Sequence, residues 1–171
     1  MRRKSVIVSA LLIPVVLVPV LLVPVHVFQI EALPEQTVVY RARVTPGFRF
    51  ALGYTHSVEG CPVWDYLRVD EQYTMVTYKT EFWSSRTGLP YAAFGNEIFR
   101  AEGDHFIIEN MHRPVPTIDQ WVDSRYDNTL RFPDGREYEL ASLAGNGLVR
   151  ITIERKRLGQ YLYDMAAHAS R

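Results

Sequence analysis

Between Thr37 and Arg155 hydrophobic residues recur at alternate positions, and no helical period is established before the C-terminal stretch. A two-residue period puts one side chain in two on each face of an extended chain, so this region is bound to sheets rather than helices. TVVYRARV (Thr37 to Val44) is rich in β-branched and aromatic residues. FRFALGYTHSV sets Phe48, Phe50, Leu52 and Tyr54 against Arg49, Ala51, Gly53 and Thr55. VWDYLRVD sets Val63, Asp65, Leu67 and Val69 against Trp64, Tyr66 and Arg68, so one acid shares a face with aliphatic residues. QYTMVTYKTEF follows Asp70-Glu71, a connection that suits a hairpin. HFIIENM, two short segments around Pro133-Asp134-Gly135, and GLVRITIER complete the set. About eight short strands parted by turn residues predict an antiparallel β-sandwich or open barrel.

The N-terminus follows another rule. Arg2, Arg3 and Lys4 precede a stretch without a charge from Ser5 to Ile30, longer than the ~20 residues that cross a bilayer as a helix. A single transmembrane helix is expected over Val6–Ile30, bent by Pro14, Pro19 and Pro24. A cleaved signal peptide is the competing reading. The basic cluster is expected to stay in the cytoplasm, leaving everything after Glu31 on the far side of the membrane. Net charge is zero over 171 residues, and setting aside the three leading cations leaves the rest three charges acidic. That balance offers no electrostatic footprint for nucleic acid. The expected division is 1–32 as anchor, 34–157 as β domain and 158–171 as a C-terminal helix or tail. In the last of these, Leu158, Tyr161, Leu162 and Met165 fall on one helical face.

Candidate chemistry concentrates between Gly53 and Tyr91. His56 and Ser57, read as strand neighbours, point to opposite faces and cannot pair as base and nucleophile. His56 and Glu59 flank Gly60, where a histidine–carboxylate contact would hold a hairpin. Cys61 is the only cysteine and has no partner for an internal disulfide; a buried, inert thiol is expected. Among Ser84 to Pro90, hydroxyls, backbone amides and Arg86 suit a small anion, with Gly88 shaping the turn; a loop crossing between sheets is the plainer reading. His56, Ser57, Glu59, Asp65, Arg86, Gly88, His112 and Arg113 are the candidate ligand-binding residues. None of the histidines and acids shows the paired spacing of a zinc site, so no metal, cofactor or catalytic residue is expected.

His56-Ser57-Val58-Glu59, then Pro62-Val63 with Asp65, then Phe82, Ser84 and Gly88-Leu89-Pro90, resemble the domain of unknown function family numbered 1850. The resemblance spans Phe50 to Pro90 and extends more loosely to Met111-His112-Arg113. Many members carry glutamate at the position of Asp65 and small residues in place of Arg86-Thr87, so a pocket here would differ in shape. The resemblance implies a small membrane-anchored or exported bacterial protein, encoded beside tripartite ATP-independent periplasmic (TRAP) transporters of the TAXI type. Its expected role is that of a non-enzymatic accessory in solute uptake, contacting the transporter membrane subunit or the TAXI solute-binding protein. A domain that binds a small organic acid is the alternative, and an envelope enzyme ranks last.

Overall fold

The computed structural model describes residues 19–84 and 92–169. Among the described residues, eleven strands form two antiparallel sheets that pack face to face as a β-sandwich, not a closed barrel. The strands are β1 (Pro24–Leu33), β2 (Thr37–Val44), β3 (Arg49–Thr55), β4 (Pro62–Val69), β5 (Met75–Phe82), β6 (Ile98–Glu102), β7 (His105–Val115), β8 (Thr117–Val122), β9 (Thr129–Arg131), β10 (Glu137–Glu139) and β11 (Gly147–Arg157). A short helix, α1 (Leu140–Ala144), follows β10, and α2 (Leu158–Ala169) follows β11. The smaller sheet runs β2-β1-β11-β8, and the larger runs β10-β9-β3-β4-β5-β7-β6.

The N-terminal expectation requires correction. Pro24–Leu33 is a strand, not the end of a membrane helix, and it pairs with both β2 and β11. Phe28 and Ile30 enter the core between the sheets, while Val25, Val27 and Gln29 are buried on the opposite face. A strand covered on both faces carries apolar residues in both phases, as Val25, Val27, Phe28 and Ile30 do, and hydropathy alone does not separate it from a preceding apolar segment. No helix among the described residues is long and apolar enough to cross a membrane; residues 6–18 of the expected span lie outside the described residues.

The rest of the pattern translates closely. β2 occupies the expected residues, and β4 and β5 form the expected hairpin, where Asp70 Oδ1 accepts the amides of Gln72 at 2.9 Å and Thr74 at 2.8 Å. Pro133-Asp134-Gly135 closes the β9–β10 hairpin, with Gly135 at φ 88°, a conformation that L side chains adopt at a cost. The main core joins Phe28, Ile30, Val149 and Ile151 of the smaller sheet to Phe50, Leu52, Leu67 and Leu130 of the larger. Leu140 of α1 closes one end, its amide donating to the Asn128 carbonyl at 2.8 Å. The larger sheet extends beyond its partner, and Cys61, Val63, Phe82, Ile108 and Met111 form a second cluster there. Pro116 separates β7 from β8 and marks the step from one sheet to the other. The C-terminal helix forms as expected and packs on β1 and β11. Leu158, Tyr161 and Asp164 are partly buried, but Leu162 and Met165 are exposed, so only half of the expected apolar face is docked.

Candidate functional site

Strand β3 ends at Thr55, so His56 and Ser57 begin a turn instead of alternating across a sheet. The turn is held from both ends. The His56 amide donates to the Cys61 carbonyl at 2.8 Å, and the Gly60 amide to the His56 carbonyl at 2.8 Å. The expected histidine–carboxylate contact is absent from the described bonds. His56 Nδ1 instead accepts the backbone amide of Glu59 at 3.3 Å, and the Glu59 carboxylate accepts the Ser84 hydroxyl at 3.0 Å. Glu59 thus ties this turn to the end of β5, while Ser57 and Val58 face solvent.

Asp65 lies elsewhere, on the inward face of β4 with Val63 and Leu67, as the alternation requires. Thr80 donates its hydroxyl to Asp65 Oδ1 at 2.6 Å from the facing position on β5. Burial raises the pKa of this carboxyl, while the Thr80 bond and the Arg113 charge act against the rise. Tyr54, also partly buried here, is pushed up to about 12, first by burial and then by the charges of Asp65 and Cys61. Cys61 itself is buried and free. Arg113 reaches this region from β7 and is clamped by Glu97, Nε to Oε1 and Nη2 to Oε2, both at 2.7 Å. The Glu97 side chain is only 9% exposed.

The eight candidate residues therefore divide. Asp65 and Arg113 share one electrostatic neighbourhood. His56, Ser57 and Glu59 share the β3–β4 turn. His112 is exposed on β7, whose alternation turns it away from its neighbours Met111 and Arg113. Arg86 and Gly88 lie outside the described residues. Among the described residues, no group of three or more His, Cys, Asp or Glu converges to hold a metal ion.

His56 and Ser57 border a cleft of about 550 Å³ that is also lined by Tyr54, Thr55, Asp119, Gln120, Trp121, Tyr126 and Asn128. One wall is the end of β3, stapled to the β8–β9 loop by the Thr55 amide donating to the Tyr126 carbonyl at 2.7 Å. The other wall is β8, the edge strand of the smaller sheet. Asn128 is buried between the walls. Its Oδ1 accepts from Gln120 Nε2 at 2.8 Å, and its Nδ2 donates to the Asp123 carbonyl at 3.1 Å. Asp119 is engaged by both Nε and Nη2 of Arg150 at 2.7 Å, which holds its carboxyl below the usual range. Trp121 is left 69% exposed on the rim, and Val58 of the adjoining turn 72% exposed.

Sequence reasoning missed Tyr54, Thr80, Glu97, Gln120, Trp121 and Asn128 as site residues. The inward phase of β5, which Thr80 shares with Phe82, is a signal for Thr80. Glu97 and Trp121 carry no local signal, because their neighbours come from distant strands.

Two antiparallel sheets, with a cleft beside the β8 edge strand and an exposed tryptophan on its rim, define a β-sandwich domain. The chain belongs to the family described as a domain of unknown function (DUF1850), whose family model matches residues 50–140, more than half its length. No curated protein and no solved structure matches the chain.

Proposed function

We propose that this protein is a non-enzymatic accessory of a solute transporter, held at the bacterial inner membrane by its N-terminal segment. Its β domain stands on the periplasmic side and engages a protein partner at the β8 edge. The observation that carries this reading is the cleft itself. Three consecutive residues of an edge strand, Asp119, Gln120 and Trp121, line it. An edge strand offers backbone donors and acceptors to an extended segment of another protein. Exposed Trp121, beside partly buried Tyr54, supplies the aromatic anchor that such interfaces favour. Resemblance to family members encoded beside TAXI-type TRAP systems points to the transporter membrane subunit or its solute-binding protein as the partner.

Affinity purification of the tagged full-length chain from bacterial membranes, followed by mass spectrometry, tests the proposal. Recovery of a transporter component by the native chain, lost with Trp121→Ala, supports it. Recovery of neither component under gentle detergent overturns it.

A second reading is favoured by the cleft's size, which lies within the roughly 300–1,000 Å³ of small-molecule sites. An organic acid would enter beside His56 and Ser57. Titration with millimolar dicarboxylates, read by thermal stability, decides it: no shift removes this reading.

A further inference from the structure

Helix α2 carries one acid, Asp164, and no lysine or arginine. That acid is spent inward: its Oδ2 accepts from Lys156 Nζ at 3.0 Å and lies 3.8 Å from Arg41 Nη2. Beyond that contact the helix offers no acid, lysine or arginine, and Leu162, Tyr163 and Met165 are exposed around it, Tyr163 to 75%. A helix docked on a soluble domain ordinarily presents charged residues to water, and an apolar exposed face marks a binding surface.

The patch does not end with the helix. The Leu158 amide donates to the Val23 carbonyl at 2.8 Å, and Gly159 packs so closely on Leu21 that a Cβ there would come within 3.2 Å of it. Val20, Leu22 and Val23 are exposed beside this first turn. The chain that leads into them is uncharged from Ser5 onward. At the same end, Arg155 and Arg157 are exposed, and neither takes part in the ion pairs found among the described residues. They border a hollow of about 430 Å³ with Leu22, Pro24, Lys156 and Gln160. Cations around a hollow, rimmed by apolar side chains and continuous with an apolar leader, match the chemistry of an anionic lipid headgroup above its acyl chains.

We propose that α2 and residues 19–23 form an interfacial platform that lies on an anionic bilayer. Leu162 and Met165 enter the acyl boundary, Tyr163 sits at headgroup level, and Arg155 and Arg157 pair with headgroup phosphates. This inference rests on the membrane-attached reading above but adds a second contact that an anchor alone does not require.

The test uses the full chain in vesicles, with an environment-sensitive fluorophore on Tyr163→Cys and, as reference, on Val58→Cys; native Cys61 is buried. Vesicles contain acyl-brominated lipid, either with phosphatidylglycerol or with phosphatidylcholine alone. Quenching is read on floated vesicles, and a carbonate wash follows. The expected result is several-fold stronger quenching at position 163 than at 58 in phosphatidylglycerol vesicles, reduced in phosphatidylcholine and by Arg155→Glu with Arg157→Glu. Equal weak quenching at both positions on chains that resist carbonate overturns the platform and leaves the anchor standing. Strong quenching at 163 on chains that carbonate strips supports the platform and overturns the anchor. Failure to float with either vesicle overturns both. Cross-linking between two copies at position 163 without quenching overturns the platform in favour of self-association.

Discussion

Thr80 donates its hydroxyl to Asp65 at 2.6 Å across the β4–β5 ladder, on the inward face of the larger sheet. The bond supports an ionised carboxylate that burial disfavours, and burial is the larger effect. The folded pKa of Asp65 therefore lies above its ordinary 3.8. The native state holds this proton more tightly than the unfolded chain does. The group's contribution to stability is full below the ordinary value and falls as pH rises through the folded pKa. Asp65→Asn keeps an oxygen for Thr80 and removes the titration. The variant is expected to gain on the native chain as pH rises from about 4 to 8. Urea unfolding across that range measures the gap; a gap independent of pH contradicts the assignment.

Arg113 connects this carboxyl to Glu97. Glu97→Gln removes the charge from a bidentate pair whose arginine is 41% exposed. Solvent screening trims the loss to about 1 kcal/mol. Arg113→Met is expected also to raise the Asp65 pKa further, because the favourable cation is gone. Carboxyl NMR titration of the two variants separates these effects: only the second moves Asp65 strongly.

Phe28 is fully buried and touches the rings of Phe48, Phe50 and Phe132. Phe28→Ala is expected to cost about 3–5 kcal/mol, measured by denaturant unfolding. A chain beginning at residue 34 lacks the strand between β2 and β11 and is expected to be digested rapidly by protease, whereas one beginning at 19 resists. A membrane-spanning role for Pro24–Ile30 predicts the opposite for the shorter chain.

Gly53 faces Trp64 on the neighbouring strand, and a Cβ at Gly53 would stand 2.7 Å from the indole ring. Arg131 lies over the same ring at 3.9 Å. Gly53→Ala is therefore expected to displace the indole and cost about 1–3 kcal/mol. A change in the near-ultraviolet circular dichroism, with the far-ultraviolet signal kept, reports it.

Strand alternation was readable in β4 because Val63, Leu67 and Val69 are buried while Trp64, Tyr66 and Arg68 on the other face are not, and a period of two records that difference locally. The inward phase of Asp65 and the β9–β10 turn followed from the same information. β1 escaped because both its faces are covered, which erases the alternation and merges it with the apolar leader. β6 and β8 escaped because edge strands are short and largely exposed, as the faces of Ile98–Glu102 and Thr117–Val122 are. The site was less legible still. Glu59 meets Ser84, Asp65 meets Thr80 and Arg113, and the β3 end meets the β8–β9 loop, through separations that no local pattern encodes. Residue order determined which segments extend and where they turn. Only the pairing of distant strands decided which polar groups share a cleft, because hydrogen bonding and burial depend on neighbours brought together by folding.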